Sequence, residues 1–114
     1  MPIIKNSKIK DRDLKLLLTD WNEADGCFAT DMIIVDGMKI GYMYREEPVN
    51  DYDSGWRFLS GTESSGYMNN PKNGGAYTLN KLANYEPEII PLLKSPCGTA
   101  YKRDAMGILQ KVEE

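Results

Sequence analysis

The densest chemistry in the chain lies in the stretch GYMYREEPVNDYDSGWRF, from Gly41 to Phe58. Its carboxylates are Glu46, Glu47, Asp51 and Asp53, its bases are Arg45 and Arg57, and Tyr42, Tyr44, Tyr52 and Trp56 stand among them. Carboxylates of this kind can serve as general acid and base, and oxygen ligands at alternate positions followed by glycine can wrap a hard cation. Tyrosine, tryptophan and arginine dominate protein–protein hot spots, while opposite charges can simply pair across a hairpin.

Elimination narrows these choices. The chain has no histidine, which removes Ser-His and Cys-His nucleophile pairs and any histidine-containing metal site supplied by this chain alone. Its two cysteines, Cys27 and Cys97, are too few for a four-thiolate zinc site and read as buried, reduced thiols. Counted from Asp51, Gly55 falls at the fifth place of a calcium loop rather than the sixth, and Thr62 takes the twelfth, with Glu63 one step late. That segment reads as a solvated acidic loop. Glu46 and Glu47 are neighbours on a strand end and point to opposite faces, so they form no acid/base pair. Glu46 is expected to meet Arg57 or Arg45 across a hairpin, an interaction worth about 0.2–1 kcal/mol. The glycine loops Gly61 to Gly66 and Asn73 to Gly75 lack the lysine and hydroxyl of a phosphate-binding loop.

No catalytic residue, metal or cofactor is therefore expected. The candidate partner-binding set is Tyr44, Arg45, Glu46, Glu47, Asp51, Asp53, Trp56 and Arg57, with Tyr42, Tyr52 and Tyr67 as further aromatics. A different class of reading is a small enzyme or ligand-binding domain that uses Glu46, Asp53 and Arg57 around a pocket at the hairpin base. A purely structural reading packs Tyr42, Tyr44 and Trp56 into the hairpin core.

Charge points to the kind of partner. The net charge is −3, and from Glu46 to Glu63 five acids face one inner base, Arg57. A basic protein surface suits this segment better than a nucleic acid. Lys5, Lys8, Lys10, Arg12 and Lys15 make the start basic, but Asp11 and Asp13 interrupt them. No apolar run approaches the roughly 20 residues of a membrane span, and the start MPIIKNSKIKDRDLK lacks an apolar signal core, so a cytoplasmic location is expected.

The elements that must hold these residues follow from periodicity. With 114 residues, 41% hydrophobic and 27% charged, the chain fits one folded domain. Leu14, Leu17, Leu18 and Trp21 share one face of a helix over Asp11 to Trp21, and the polar Asn22 to Gly26 ends it. Cys27 to Thr30 reads as a strand. Met32 to Val35 is an apolar run before Asp36-Gly37, a dipeptide suited to a tight hairpin turn. The returning strand Met38 to Arg45 puts Met38, Ile40, Tyr42 and Tyr44 on its core-like face. Pro48 stops this strand, Val49 to Ser54 is loop, and Gly55 to Ser60 returns with Trp56 and Phe58 on one face and Arg57 on the other. Gly61 to Gly75 reads as irregular. Thr78 caps a helix over Leu79 to Tyr85, and Pro87 opens a second with Ile89, Ile90, Leu92 and Leu93 buried. Gly98 to Arg103 is a strand, and Ile108 to Val112 a further strand or tail. This order predicts a single α+β domain, a mostly antiparallel sheet with an N-terminal helix and a helix pair near residues 79–93. Its edge strands leave homo-oligomerisation open.

At GYMYREEP, DSGWRF with the following SGTE, YTLN, NYEP and SPCGTAYKR, the chain resembles a bacterial family once known only as a domain of unknown function and later named immunity protein 33. The residues that carry the likeness are Tyr44, Arg45, Glu46 and Pro48, then Asp53, Ser54, Gly55, Trp56 and Arg57, then Leu79 and Asn80, and last Pro96, Gly98 and Arg103. They span about residues 27–103, leaving 1–26 as a helical N-terminal extension and 104–114 as a C-terminal tail. The resemblance implies a non-enzymatic protein that neutralises the cognate toxin of a polymorphic toxin system by binding it, and it names no catalytic residues. On this reading the acidic, aromatic surface would engage a basic toxin domain.

Overall fold

Six strands form one sheet in the computed structural model, which describes residues 6–112. They are β1 (Gly26–Thr30), β2 (Tyr42–Arg45), β3 (Asp53–Leu59), β4 (Gly74–Thr78), β5 (Ala100–Arg103) and β6 (Leu109–Lys111), in the order β4-β1-β3-β2-β5-β6. The β1–β3 pairing is parallel and the other four are antiparallel, so the sheet is mixed. Three short α-helices accompany it, α1 (Asp31–Ile34), α2 (Ser65–Met68) and α3 (Leu79–Tyr85). The fold is α+β, as expected.

Side chains alternate across the strands and give the sheet two unlike faces. Cys27 and Ala29 of β1, Met43 of β2, and Trp56 and Phe58 of β3 are buried in one core with Ile33 and Ile34 of α1 and Leu79, Leu82 and Ala83 of α3. Ile89 and Leu93, in and just after the 3₁₀ helix Pro87–Leu92, complete it. The alternate residues, Phe28, Arg57, Tyr42 and Tyr44, are partly exposed on the opposite face, with Ala76 and Lys102 exposed beside them. We call this the open face. Trp56 anchors the covered side: its indole N–H donates to the Leu93 carbonyl at 2.9 Å, and its ring stacks on Phe58 with centroids 6.0 Å apart.

The expected N-terminal helix is absent. Only Asp11–Asp13 forms a turn of 3₁₀ helix, and the chain from Leu14 runs outside any helix or strand as far as β1. Three of the four apolar residues assigned to that helix still reach the core, Leu18 being buried and Leu17 and Trp21 packed against it. Their backbone is claimed by α3 instead. The Asn80 side-chain oxygen accepts the N–H groups of Leu17 and Leu18 at 2.8 and 3.1 Å, and the Asn84 oxygen accepts that of Lys15 at 2.9 Å. Both amides donate in return to the Lys15 carbonyl at 2.8 Å. An amide pair one helical turn apart thus replaces the bonds an isolated helix would make within itself. Residues 1–5 of the expected extension and 113–114 of the expected tail lie outside the described residues.

Asp36-Gly37 also departs from expectation. Met32 to Val35 belongs to α1 and its last turn rather than to a strand, and the dipeptide ends that helix. Gly37 takes a left-handed φ of 74°, with its N–H donating to Ile33 at 3.0 Å and that of Met38 to Met32 at 2.9 Å. No hairpin forms there. Strand β2 consequently starts late, at Tyr42, and its buried residue is Met43 rather than Tyr42 or Tyr44. The alternation slips at Gly41, whose backbone crosses so close to Ser60 that a Cβ would lie 2.0 Å from the Ser60 carbonyl oxygen. Ile40 is buried before the slip, while Met38 is exposed.

The segment expected to be irregular, Gly61 to Gly75, holds α2, a 3₁₀ turn at Pro71–Asn73 and the start of edge strand β4. Thr78 caps α3 as predicted, its hydroxyl accepting the Lys81 N–H at 3.2 Å. The second helix is 3₁₀ over Pro87–Leu92, because Pro91 removes a donor within it. Cys27 is buried and Cys97 exposed, and both are free. The reading of buried thiols therefore holds for Cys27 alone.

Candidate functional site

Strand β3 brings Arg57 to the middle of the open face, opposite Tyr44 of β2 and Phe28 of β1. The guanidinium grips Asp53 with both ends, Nη1 to Oδ1 at 2.9 Å and Nη2 to Oδ2 at 2.8 Å, and its Nε donates to Glu46 Oε2 at 2.7 Å. Asp53 accepts two backbone N–H groups besides, from Gly55 at 2.9 Å and Val49 at 3.0 Å. The hydrogen bonds from Arg57 hold the Asp53 carboxyl well below the usual carboxylate range, and the two backbone donors add to this against the opposing effect of burial. Asp53 in turn holds the Arg57 proton more tightly still. A carboxylate so fixed is an anion at neutral pH. It is unsuited to proton transfer near neutral pH, which needs a group that titrates there.

Gly55 makes the triad geometrically accessible. Its φ of 90° lies in the left-handed region, and a Cβ would stand 2.1 Å from the Glu46 carbonyl oxygen. Glycine therefore lets β3 close on the end of β2, where the Glu46 N–H donates to the Gly55 carbonyl at 2.9 Å.

The network also shapes the loop between β2 and β3. Asp53 holds Val49, Asn50 Oδ1 accepts the Tyr52 N–H at 2.9 Å, and the Gly26 N–H donates to the Tyr52 carbonyl at 2.6 Å. Val49 and Tyr52 are nonetheless 78% and 69% exposed. The loop holds apolar side chains out in water. Two depressions flank Arg57, one of about 560 Å³ bounded by Phe28, Val49, Tyr52, Asp53 and Ala76, the other of about 450 Å³ bounded by Tyr42, Tyr44, Glu46, Cys97 and Ala100. Tyr42 and Tyr44 lie with ring centroids 5.6 Å apart, and burial together with the nearby Glu46 charge raises the Tyr44 phenol above its ordinary value. No group of three or more side chains that could hold a metal ion occurs among the described residues.

A family model described as the Immunity protein Imm33 domain matches residues 27–113. The chain belongs to the Imm33 family. No curated protein and no solved structure matches the chain significantly. The Imm33 match runs from β1 through β6 and contains the whole Arg57 network, whereas the stretch pinned by Asn80 and Asn84 precedes it. No helix among the described residues is long and apolar enough to cross a membrane.

The residues singled out in the sequence divide between the two faces. Tyr44, Glu46, Asp53 and Arg57 come together on the open face, and Glu47 and Asp51 stand exposed on the loop. Trp56 has no exposed surface. Arg45 turns to the covered side, where Nε donates to the Ser54 carbonyl and Nη1 to that of Ser95, each at 2.8 Å, and the guanidinium lies 5.4 Å from the Trp21 ring centre. Trp56 and Arg45 thus tie the hairpin to the segments behind it. Glu63 is also taken up locally: burial alone would raise its carboxyl, but bonds from the Thr30 hydroxyl at 2.6 Å and the Ser60 N–H at 2.8 Å hold it low. Sequence reasoning missed Phe28, Val49 and Ala76. The alternation of β1 could have placed Phe28 opposite Cys27 and Ala29, but nothing in Gly74-Gly75-Ala76 announces a strand.

Proposed function

We propose that this Imm33 protein is a non-enzymatic immunity protein that binds and neutralises a cognate bacterial toxin in the cytoplasm, using the open face of its sheet. Family membership supports the class of function. One observation carries the choice of surface: Arg57, Asp53 and Glu46 satisfy one another, leaving the tyrosines, Phe28, Val49 and the acids Glu47 and Asp51 to meet a partner. Aromatic contacts with an acidic rim fit a basic toxin surface, and the charge would speed association.

Co-expression with the toxin domain encoded beside its gene tests this, with growth and complex formation as readouts. The wild-type chain is expected to protect and to elute with the toxin. Reversal of both loop acids, Glu47→Lys with Asp51→Lys, is expected to slow association about tenfold or more at low salt and to flatten its salt dependence. Full protection with unchanged association kinetics after both reversals and Tyr44→Ala would rule out this surface.

A ligand-binding or catalytic pocket on Glu46, Asp53 and Arg57 has the 560 Å³ depression in its favour. Its wall, however, offers saturated charges rather than free ones, and Glu46 lines the other depression. An aromatic or carboxylate ligand that protects the fold thermally at micromolar concentration would favour it.

A further inference from the structure

The depression beside Phe28 lies where the ends of β1, β3 and β4 meet, between the turn carrying Ala24 and the loop carrying Val49 and Tyr52. At about 560 Å³ it falls within the range of about 300–1,000 Å³ that binding pockets span. Its floor is largely apolar, from Phe28, Ala24 and Ala76, and two of its walls are the exposed side chains of Val49 and Tyr52. Apolar surface held in water by a hydrogen-bonded loop is the kind of surface that a partner covers.

We infer that this cleft receives a large apolar side chain of a partner protein segment that carries a lysine or arginine beside that side chain. The inference rests on the toxin-binding reading and adds to it the chemistry of the partner. Charge complementarity selects the occupant. Among the described residues that line the cleft Arg57 is the one base, and Asp53 and Glu46 already neutralise it. The loops that carry its lining residues are acidic: Asp51, next to Tyr52, and Glu23, next to Ala24, are exposed, and Asp25 is partly exposed. A cation arriving beside the apolar group is attracted by these acidic loops, while the one lining base is already neutralised. A free small molecule fits less well, because it needs polar groups in the wall to orient it, and those of Asp53 and Arg57 are occupied by each other and by Gly55 and Val49. A side chain on a protein takes its orientation from its own backbone outside the cleft.

The test is an NMR titration of the ¹⁵N-labelled full chain with three probes: the amidated, acetylated peptides Gly-Lys-Phe-Lys-Gly and Gly-Glu-Phe-Glu-Gly, and benzyl alcohol. The lysine peptide is expected to shift the amides of Gly26, Phe28, Tyr52 and Asp53 and to bind at least about tenfold more tightly than the glutamate peptide. Ala76→Trp, at an exposed strand position, should fill the cleft and abolish those shifts with the rest of the spectrum retained. Val49→Ser, at an almost fully exposed loop position, should weaken the lysine peptide several-fold even if the tryptophan variant fails to fold. Equal affinity for both peptides, no shift at the four amides, or binding untouched by Val49→Ser overturns the inference, as does benzyl alcohol binding there as tightly as the lysine peptide. Protection from the toxin by the wild-type chain is read separately. If that protection persists while the titration fails, the cleft is excluded and the toxin-binding function stands.

Discussion

Arg57 binds two carboxylates that differ sharply in exposure, and the two should contribute unequally. Its side chain and that of Asp53 are 11% and 9% exposed, while that of Glu46 is 51% exposed. Arg57→Ala leaves Asp53 a largely buried anion held only by backbone donors and is expected to lower stability by about 1.5–3 kcal/mol in urea unfolding. Glu46→Gln should cost less than about 1 kcal/mol, the range of exposed pairs. The acid limb of stability follows from the same group. Because folding depresses the Asp53 carboxyl, its contribution is complete above the unfolded value of about 4 and is lost as pH falls from there toward the lower folded value. Glu63 and Glu88 are depressed too and add the same sign. Glu86, raised by burial and by the Glu88 charge, has the opposite sign and recovers stability on acidification. Asp53→Asn should therefore be less stable than wild type at pH 7, with the gap narrowing below pH 4 in urea titrations at both pH values.

The elements show what the sequence disclosed and where it misled. Strand β3, helix α3 with its Thr78 cap, and the Glu46–Arg57 pairing were legible because each rests on a local signal: alternation at Trp56 and Phe58, a cap residue, and opposite charges on adjacent strands. Gly55 stands where two backbones approach, which its place between Ser54 and Trp56 did not announce. Strand β4 and the segment before β1 were illegible because their partners are remote. Glycine-rich β4 is a strand only through its ladder with β1, and residues 15–18 avoid a helix because acceptors wait on α3. The open face was hidden by the phase slip at Gly41, which exchanges Tyr42 and Tyr44 for Met43 in the core. Asn80 offers a test at this scale. Asn80→Ala removes the acceptor of two backbone donors, and amide exchange at Leu17 and Leu18 is expected to accelerate, with a loss of about 1–3 kcal/mol for buried donors left unpaired. Exchange unchanged at both amides would mean that packing of Leu18 alone holds the segment.

Across the whole molecule the two faces of one sheet divide the work. The covered face holds Trp56, Phe58 and helices α1 and α3 in a single core, and the radius of gyration of 13.6 Å matches one domain of this length. Outside the Arg57 network, the exposed side chains of the open face can vary with little effect on that core. The parallel β1–β3 pairing also sets a timetable. Strands β2 and β3 are joined by a short loop and can meet as soon as both exist, but β1 finds one neighbour in β3 and the other in β4, which is made much later. The N–H groups of Ile9, Lys15, Leu17 and Leu18 need acceptors on Asn80, Asn84 and Tyr85. Contacts so distant along the chain slow folding. Pulse-labelled exchange during refolding is expected to protect Met43 and Phe58 before Ala29, and Leu18 last. During synthesis the stretch from Ile9 to Leu18 would wait for α3 and settle late, so on the proposed toxin-binding reading protection would lag synthesis by the time this docking takes.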